Sequence, residues 1–515
     1  MLKILVLFLI AAAFAINLFF VLRFLKDYWN SEDRKIQAWI LLNILALAMI
    51  AIEYFLPMRG GYDSGLCFGI ARESFLSMNT TYKEFSPILI YSITDFFSAR
   101  SIYAILFQNM ALSLLSALLI FACLRSLKTG ILSAFAGTVF FSLNFNNLIS
   151  ASSMASTQCN LFFFISAIIA ATFIFREDNA KYANGLIWLF SSVALVITSR
   201  AELATIPVMI LIVGILSKER MSGIVDIFKR RGKIIILAGI LIWAACSVFV
   251  LSGEGFRNRF QPYSPYTNAV FQLISNNIAM LFGDKPAIFS PTLHISHHLM
   301  FFEVLICVLY GCYLFSNRKK NAVISATFLI ATIYISFMYA PKDAYPLHFV
   351  RQRAYMLIPL TFLMAFSADG YRRIIGNRKI RIAAMFVLIL SYSVLNARTA
   401  ISLNSEQRSD DRIWQFMAKT QKHIRGRYDK QKINGEWETS VIGAIDKYFF
   451  PKQLNRTRIV FITPEYFLLD PEGKLEFYAK YKPLITERII YRPYFLPDRN
   501  KYDGKETEFG FYIPK

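Results

Sequence analysis

The stretch LIWLFSSVALVITSRAELATIPVMILIVGIL, Leu186 to Leu216, decides the fold class of this chain. It carries no charge except at one interruption, where Arg200 and Glu202 stand two positions apart. Each apolar half has roughly 14 to 16 residues, or about 21–24 Å of helix, whereas a bilayer core is about 30 Å thick. We therefore expect the interruption to lie below the membrane surface, where ionisable side chains usually have a function. The alternative is that the two charges only pair with each other.

Apolar runs of similar length recur along the first 398 residues. The chain has 515 residues, of which 56% are hydrophobic and only 17% charged, with 48 Phe. Runs near 20 residues indicate membrane spans, so the sequence predicts an α-helical polytopic membrane protein. Arg23 and Lys26, not a small-residue cleavage site, follow the first run, which we interpret as a retained span. The twelve predicted spans are 4–22, 37–57, 102–123, 131–147, 160–175, 184–199, 203–217, 234–252, 299–316, 321–340, 354–369 and 382–398.

The formal net charge of +22 comes largely from lysine and arginine in short loops between the spans. Basic loops face the cytoplasm by the positive-inside rule, so no nucleic-acid partner is needed to explain the charge. The remaining segments then face the outer side, together with the N-terminus and the tail. These outer segments are 58–101, 148–159, 253–298, 341–353 and 399–515.

The tail, residues 399–515, has a different composition from the preceding 398 residues. It carries charges of both signs and several turn signals, and residues 410–426 show apolar side chains at helical spacing. Residues 458–463, 487–491 and 509–513 are typical of strands. We predict a transmembrane domain at 1–398, with an amphipathic external loop at 58–101, and an extracytoplasmic α/β domain at 399–515.

Two outer segments carry charges whose positions need an explanation. After Asp63, apolar residues recur at helical spacing, so we expect an amphipathic helix on the membrane surface, with Asp63 as its simple N-terminal cap. Arg351 and Arg353 stand at the outer end of a span, where they make a fork suited to phosphate oxygens. The alternative for the two arginines is snorkelling to the interface, although positive charge at an outer end opposes the orientation rule.

The order of these segments resembles that of the GT-C glycosyltransferases, most of all the group of protein O-mannosyltransferases and lipid A aminoarabinose transferases. In that group the first external loop opens with an acid, continues through an Ala-Arg-Glu helix and reaches a Lys-Pro-Pro-Leu-like turn. A Thr-Arg-Pro-Glu-like turn follows, and later an Arg-Tyr segment before a span with proline. The similar stretches here are Asp63, Ala71–Glu73, Lys83–Pro87, Ser199–Glu202 and Arg351–Tyr355.

The resemblance implies a membrane glycosyltransferase that takes a sugar from a polyprenyl-phosphate donor, with inversion at the sugar carbon. The acceptor would be a lipid, a glycan or a protein at the outer face. The resemblance also implies a bacterial inner (plasma) membrane, with the active site and the tail extracytoplasmic. Asp63 would be the general base. The donor phosphate would lie among Lys83, Arg200, Arg351 and Arg353, with Glu202, His348 and Tyr355 in support.

The segment 151–160 departs from the family pattern. Relatives often carry a second acid in this outer loop, but here the segment contains none. A divalent metal, which metal-assisted relatives would need, therefore has no evident ligand set, and we assign no cofactor and no metal ligands.

Two functions of other classes stay open at the level of sequence. One is a transporter or flippase for a lipid-linked glycan, whose ionisable groups would lie near the membrane midplane on helices related by an internal repeat. Here the charges gather in the outer segments, and the sequence shows no repeat. The other is a non-catalytic protein of cell-envelope assembly, whose function would depend on the tail.

Overall fold

The computed structural model describes most of the predicted spans and part of the tail. The described residues are 2–31, 85–98, 102–151, 156–173, 182–217, 232–252, 295–338, 354–405, 471–491 and 504–515, with the short pieces 412–413, 415–416, 419–420, 428–429 and 459–462.

The described part of residues 1–405 is helical. The helices are α1 (Leu2–Ser31), α2 (Phe85–Phe97), α3 (Ile102–Ser126), α4 (Ile131–Ser142), α5 (Phe145–Ala151), α6 (Thr157–Thr172), α7 (Tyr182–Arg200), α8 (Thr205–Ser217), α9 (Gly232–Ser252), α10 (Ile295–Phe315), α11 (Lys319–Met338), α12 (Leu357–Tyr371) and α13 (Arg378–Ser405). Each of the other predicted spans overlaps one or two of these helices, whereas the span 37–57 lies outside the described residues.

Several of these helices can cross a bilayer by length and composition. Within the described ranges, the stretches that qualify are Leu2–Asn30, Ala104–Ser126, Asn184–Leu216, Lys319–Met338 and Arg378–Asn396. The remaining apolar helices, among them α4, α6 and α12, are shorter. The protein is therefore an integral membrane protein, and the number of twelve spans stays a prediction.

The predicted span 131–147 is broken in the structure, because α4 ends at Ser142 and α5 begins at Phe145. Asn144 lies in the break and donates from its Nδ2 to the Tyr392 hydroxyl at 2.5 Å. The backbone N–H of Phe145 donates to Asn396 Oδ1 at 2.9 Å. Side chains of α13 thus satisfy backbone and amide groups that the break leaves unpaired, as a buried helix end requires.

The core lies around α6 and α12. Every residue of α6 is buried, and this helix packs against α3, α7 and α8. The helix α12 packs against α4, α10 and α11. Stacked rings join α12 to two of these neighbours, with centroids 4.7 Å apart for Phe315 and Phe366 and 4.4 Å apart for Phe328 and Phe362.

Glycines allow α12 to approach its neighbours closely. A Cβ atom at Gly370 would overlap the carbonyl oxygen of Gly311, so the backbones of α10 and α12 touch at this crossing. On another side of α12, a Cβ atom at Gly137 of α4 would lie 2.9 Å from the Ala365 Cβ. Small residues at crossings bring backbones together in this way when helices pack in membranes.

A buried polar cluster attaches α1 to the bundle. The side-chain oxygen of Asn17 accepts hydrogen bonds from Ser166 Oγ at 2.5 Å and from Trp188 Nε1 at 2.9 Å. Ser192 Oγ also lies 3.3 Å from that oxygen. The cluster joins α1 to α6 and α7, so the first apolar run belongs to the helix bundle.

The described residues of the tail include a four-stranded sheet. Its strands are β1 (Tyr428–Asp429), β2 (Ile459–Ile462), β3 (Tyr481–Ile490) and β4 (Glu506–Pro514), in the order β1-β2-β4-β3, with α14 (Pro471–Lys480) before β3. The first pair is parallel and the other two are antiparallel. Each predicted strand overlaps one of these. The helix α13 runs through residue 399, the predicted domain boundary, and the boundary itself stays a prediction.

We expect Gly370→Ala to destabilise the protein, because the added methyl has no room at the α10–α12 crossing. Overpacking of this kind costs about 1–3 kcal/mol or more. Thermal unfolding of the purified protein in detergent measures the loss. Gly239→Ala on α9, where a Cβ atom would meet nothing within 4 Å, serves as the control and keeps or raises the midpoint, because alanine favours a helix over glycine by about 1 kcal/mol. Equal midpoints for the two variants would contradict this account of the crossing.

Candidate functional site

The structure confirms the predicted interruption between the two apolar halves at 186–216. Helix α7 ends at Arg200, whose φ of −138° and ψ of 79° leave the helical region, and a 3₁₀ turn at Ala201–Ala204 leads into α8. The carbonyl oxygen of Glu202 accepts hydrogen bonds from Thr205 Oγ1 at 2.9 Å and from Tyr334 Oη at 3.1 Å. The turn is thus held by its own chain and by α11.

Arg200 and Glu202 form a buried charge pair inside this turn. Arg200 Nη1 lies 3.8 Å from Glu202 Oε1, and the two side chains are 7% and 4% exposed. A charge-assisted hydrogen bond would be shorter, about 2.7–2.9 Å. The two side chains therefore attract each other as opposite charges, without a short hydrogen bond between Nη1 and Oε1. The two residues pair and are buried, and the functional role that the sequence analysis gave them stays a prediction.

Tyr355 brings a third segment to the charge pair. The guanidinium carbon of Arg200 lies 5.9 Å from the centroid of the Tyr355 ring, within the range of a cation–π contact. The Tyr355 side chain is buried, and its hydroxyl accepts a hydrogen bond from Asn160 Nδ2 at 3.0 Å. Arg200, Glu202 and Tyr355 were all predicted from sequence, and the structure places them together at the end of α7.

The beginning of α2 also lies beside the end of α7. The hydroxyls of Ser86 and Thr198 are hydrogen-bonded, and Thr198 stands two positions before Arg200. Further along α2, the Thr94 hydroxyl bonds the side-chain oxygen of Gln108 on α3. Gln108 in turn donates to the Cys159 sulfur at 3.7 Å. Side-chain hydrogen bonds therefore connect α2 to α7 at its beginning, and to α3 and α6 about 12 Å further along.

The other predicted site residues lie outside the described residues. They are Asp63, Lys83, His348, Arg351 and Arg353, and their roles stay predictions. Asn160 is a contact that the sequence analysis did not assign to the site. The available signal was a segment of polar but uncharged residues, 151–160, in place of an expected acid.

The described residues do not make a metal site. In the part of the chain that the structure describes, no three His, Cys, Asp or Glu side chains come together. The amides of Gln158 and Asn160 occupy the segment where relatives often carry an acid.

Comparison with solved structures shows which known fold this chain shares. ArnT from Cupriavidus metallidurans, in a crystal structure bound to undecaprenyl phosphate, matches with a TM-score of 0.52 and 11% sequence identity. The match covers 92% of this chain and 98% of that one. The chain has the GT-C fold of ArnT. No protein-family model and no curated protein matches the sequence.

A second GT-C structure matches over a smaller part. It is the Archaeoglobus fulgidus oligosaccharyltransferase in the apo form, with a TM-score of 0.47 and 12% identity. The match covers 76% of this chain, which spans 60% of the oligosaccharyltransferase chain.

Glu202→Gln should lower the stability by about 3–5 kcal/mol, because it removes the negative charge that lies 3.8 Å from the buried Arg200 guanidinium. Adding Arg200→Met removes that charge, so the double variant should recover at least about half of the loss. The measurement is the midpoint of chemical unfolding in detergent, compared among the wild type, Glu202→Gln and the double variant. Glu476→Gln is the control, because the pair of Glu476 with Lys480 is exposed and surface pairs of this kind contribute little to stability. A double variant no more stable than Glu202→Gln would contradict the pairing.

Proposed function

We propose that this protein is an integral-membrane glycosyltransferase that moves a sugar from a polyprenyl-phosphate donor to an acceptor at the outer face of the membrane. The observation that carries the proposal is the buried guanidinium of Arg200, held at a helix break inside a bundle with the GT-C fold. A charge at such depth is expensive, and is typical of a site that binds a charged ligand. The solved ArnT structure with this fold contains undecaprenyl phosphate, a polyprenyl phosphate.

The proposed role of Arg200 is to bind the phosphate of the donor and of the departing lipid. A planar guanidinium presents a fork of N–H donors that matches phosphate oxygens. Glu202 and Tyr355 then position the guanidinium, the first by charge and the second through the face of its ring. The phosphate gains negative charge as the sugar leaves, so a preorganised cation stabilises the transition state.

We place Lys83, Arg351 and Arg353 in the same phosphate site, and chain connectivity supports this placement. Ser86, which bonds Thr198, follows Lys83 by three positions. Ala354 follows Arg353 directly and precedes Tyr355, which contacts Arg200. His348, in the same outer segment as the two arginines, is assigned a supporting role.

In the proposed reaction Asp63 takes the proton of the acceptor's nucleophilic group. The freed electron pair attacks the anomeric carbon of the sugar, and the bond from that carbon to the phosphate oxygen breaks. The polyprenyl phosphate leaves with the bonding pair, and its charge is held by the cations. One displacement inverts the configuration at the anomeric carbon. A positioned base contributes about 10²–10⁴-fold to such a step.

Lipid binding tests the phosphate site. We expect the wild-type protein to bind undecaprenyl phosphate in preference to undecaprenol, which has the same chain and no phosphate. Arg200→Gln should reduce that preference by about tenfold, because a hydrogen bond to a charged group is worth roughly 1.5–3 kcal/mol. Native mass spectrometry of the detergent-solubilised protein with both lipids in competition gives the ratio. An unchanged ratio in the variant would remove Arg200 from the phosphate site.

Asp63→Asn tests the catalytic base. It should lower sugar transfer by about 10²–10⁴-fold while the unfolding midpoint stays near that of the wild type. The assay follows radiolabelled sugar from undecaprenyl-phosphate donors into acceptors of membranes from cells that make the protein. Asp27→Asn, an exposed carboxyl on α1, is the matched control and keeps full activity. Retained transfer by Asp63→Asn would exclude the base, whereas loss of folding would favour the role of a helix cap.

A further inference from the structure

We infer that the uncharged polar side chains at the start of α6 bind the sugar of the donor, and that this sugar is uncharged. The inference rests on the proposed function, because it divides the donor between two neighbouring groups of residues. Arg200 takes the phosphate, and the first turn of α6 takes the sugar ring.

The chain around α6 is polar without being charged. No Asp, Glu, Lys, Arg or His occurs between Thr129 and Phe175. The start of α6 nevertheless concentrates hydrogen-bonding side chains, and all of them are at least 99% buried: Ser156, Thr157, Gln158 and Asn160. A membrane-protein core can place apolar residues at such positions at lower cost, so the cluster needs an explanation.

Within the described structure, several atoms of this cluster have no hydrogen-bond partner. They are Ser156 Oγ, Thr157 Oγ1, Asn160 Oδ1 and both polar atoms of the Gln158 amide. Ser156 is the N-cap residue of α6, yet its hydroxyl does not cap the helix. Buried polar groups are nearly always paired, and leaving them unpaired costs stability. A run of unpaired donors and acceptors in one helical turn therefore points to a ligand that completes them.

The position of Asn160 connects the cluster to the charge pair. Its Nδ2 donates to the Tyr355 hydroxyl, so the unpaired Oδ1 of the same amide lies close to Tyr355 as well. The Tyr355 ring in turn contacts the Arg200 guanidinium. A group bonded to a phosphate at Arg200 can therefore reach the Asn160 side of the cluster.

The chemistry of the cluster selects the ligand class. Sugar hydroxyls both donate and accept, as do carboxamides and the hydroxyls of Ser and Thr. None of the four side chains carries a charge that would attract or repel an ionised substituent. The cluster thus fits an uncharged hexose better than a sugar with an ammonium or a carboxylate group, for which a paired opposite charge would be expected.

The test compares the bare lipid with three hexose-carrying lipids, on the wild-type protein and two variants, by native mass spectrometry. The probes are undecaprenyl phosphate, and undecaprenyl phosphate that carries glucose, mannose or galactose. The wild-type protein should prefer at least one hexose-carrying lipid to the bare lipid. Gln158→Leu should lower that preference by at least about tenfold and leave the affinity for the bare lipid unchanged, since a site built around hydrogen bonds loses discrimination without them.

The unfolding midpoint of Gln158→Leu provides a second readout. If Gln158 only supported the fold, the substitution would lower this midpoint. Because the Gln158 amide has no partner, Gln158→Leu should keep or raise the unfolding midpoint while it lowers sugar recognition. Ser325→Ala is the matched control. Ser325 also has a buried hydroxyl without a hydrogen-bond partner, and it lies on α11, about 13 Å along the helix from Tyr334. Its removal should leave the sugar preference unchanged.

The outcomes separate this inference from the proposed function. A protein that binds bare undecaprenyl phosphate but prefers no hexose, or a Gln158→Leu variant with the wild-type preference, overturns the sugar site alone. A Gln158→Leu variant that loses both lipids equally also overturns it, because the residue then supports the fold and not the sugar. A wild-type protein that binds neither lipid removes the proposed function and the sugar site together.

Discussion

The ion pair between Arg200 and Glu202 is the interaction on which the described site depends. Two charges inside a helical bundle are stable only when they compensate each other and when the surrounding structure holds them in place. The 3₁₀ turn brings the two residues to within 3.8 Å, and hydrogen bonds from Thr205 and Tyr334 to the Glu202 carbonyl hold the turn. The Tyr355 ring covers the guanidinium from a third side. The helix break thereby holds the Arg200 guanidinium in a fixed position.

Close packing elsewhere makes this arrangement rigid. Tyr355 lies two positions before Leu357, the first residue of α12, and α12 packs closely against α4 and α10 through glycines and stacked aromatic rings. Asn160 belongs to the first turns of α6, all of whose residues are buried. Tyr355, which contacts Arg200, thus belongs to the segment that leads into α12, and Asn160, which bonds Tyr355, belongs to the fully buried α6. Side chains held by packing keep a site within the small tolerances that binding and catalysis need.

The charged and the uncharged polar groups come from the ends of two different helices. The charged groups stand at the end of α7, whereas the start of α6 contributes only amides and hydroxyls. A polyprenyl-phosphate sugar has the same division, with an anionic phosphate bonded to a neutral ring. The proposed reaction and the proposed sugar site both use this correspondence.

The sequence by itself determined the membrane class, the positions of the helices and the interruption at Arg200, because apolar length and an isolated charge are local properties. Short strands such as 459–462 were also predicted from local pattern. Only the tertiary structure decided the break at Asn144, which depends on Tyr392 and Asn396 far along the chain. It likewise decided the crossing at Gly311 and Gly370 and the contact of Asn160 with Tyr355. These features depend on which helices become neighbours in space, and no single stretch of sequence contains both partners.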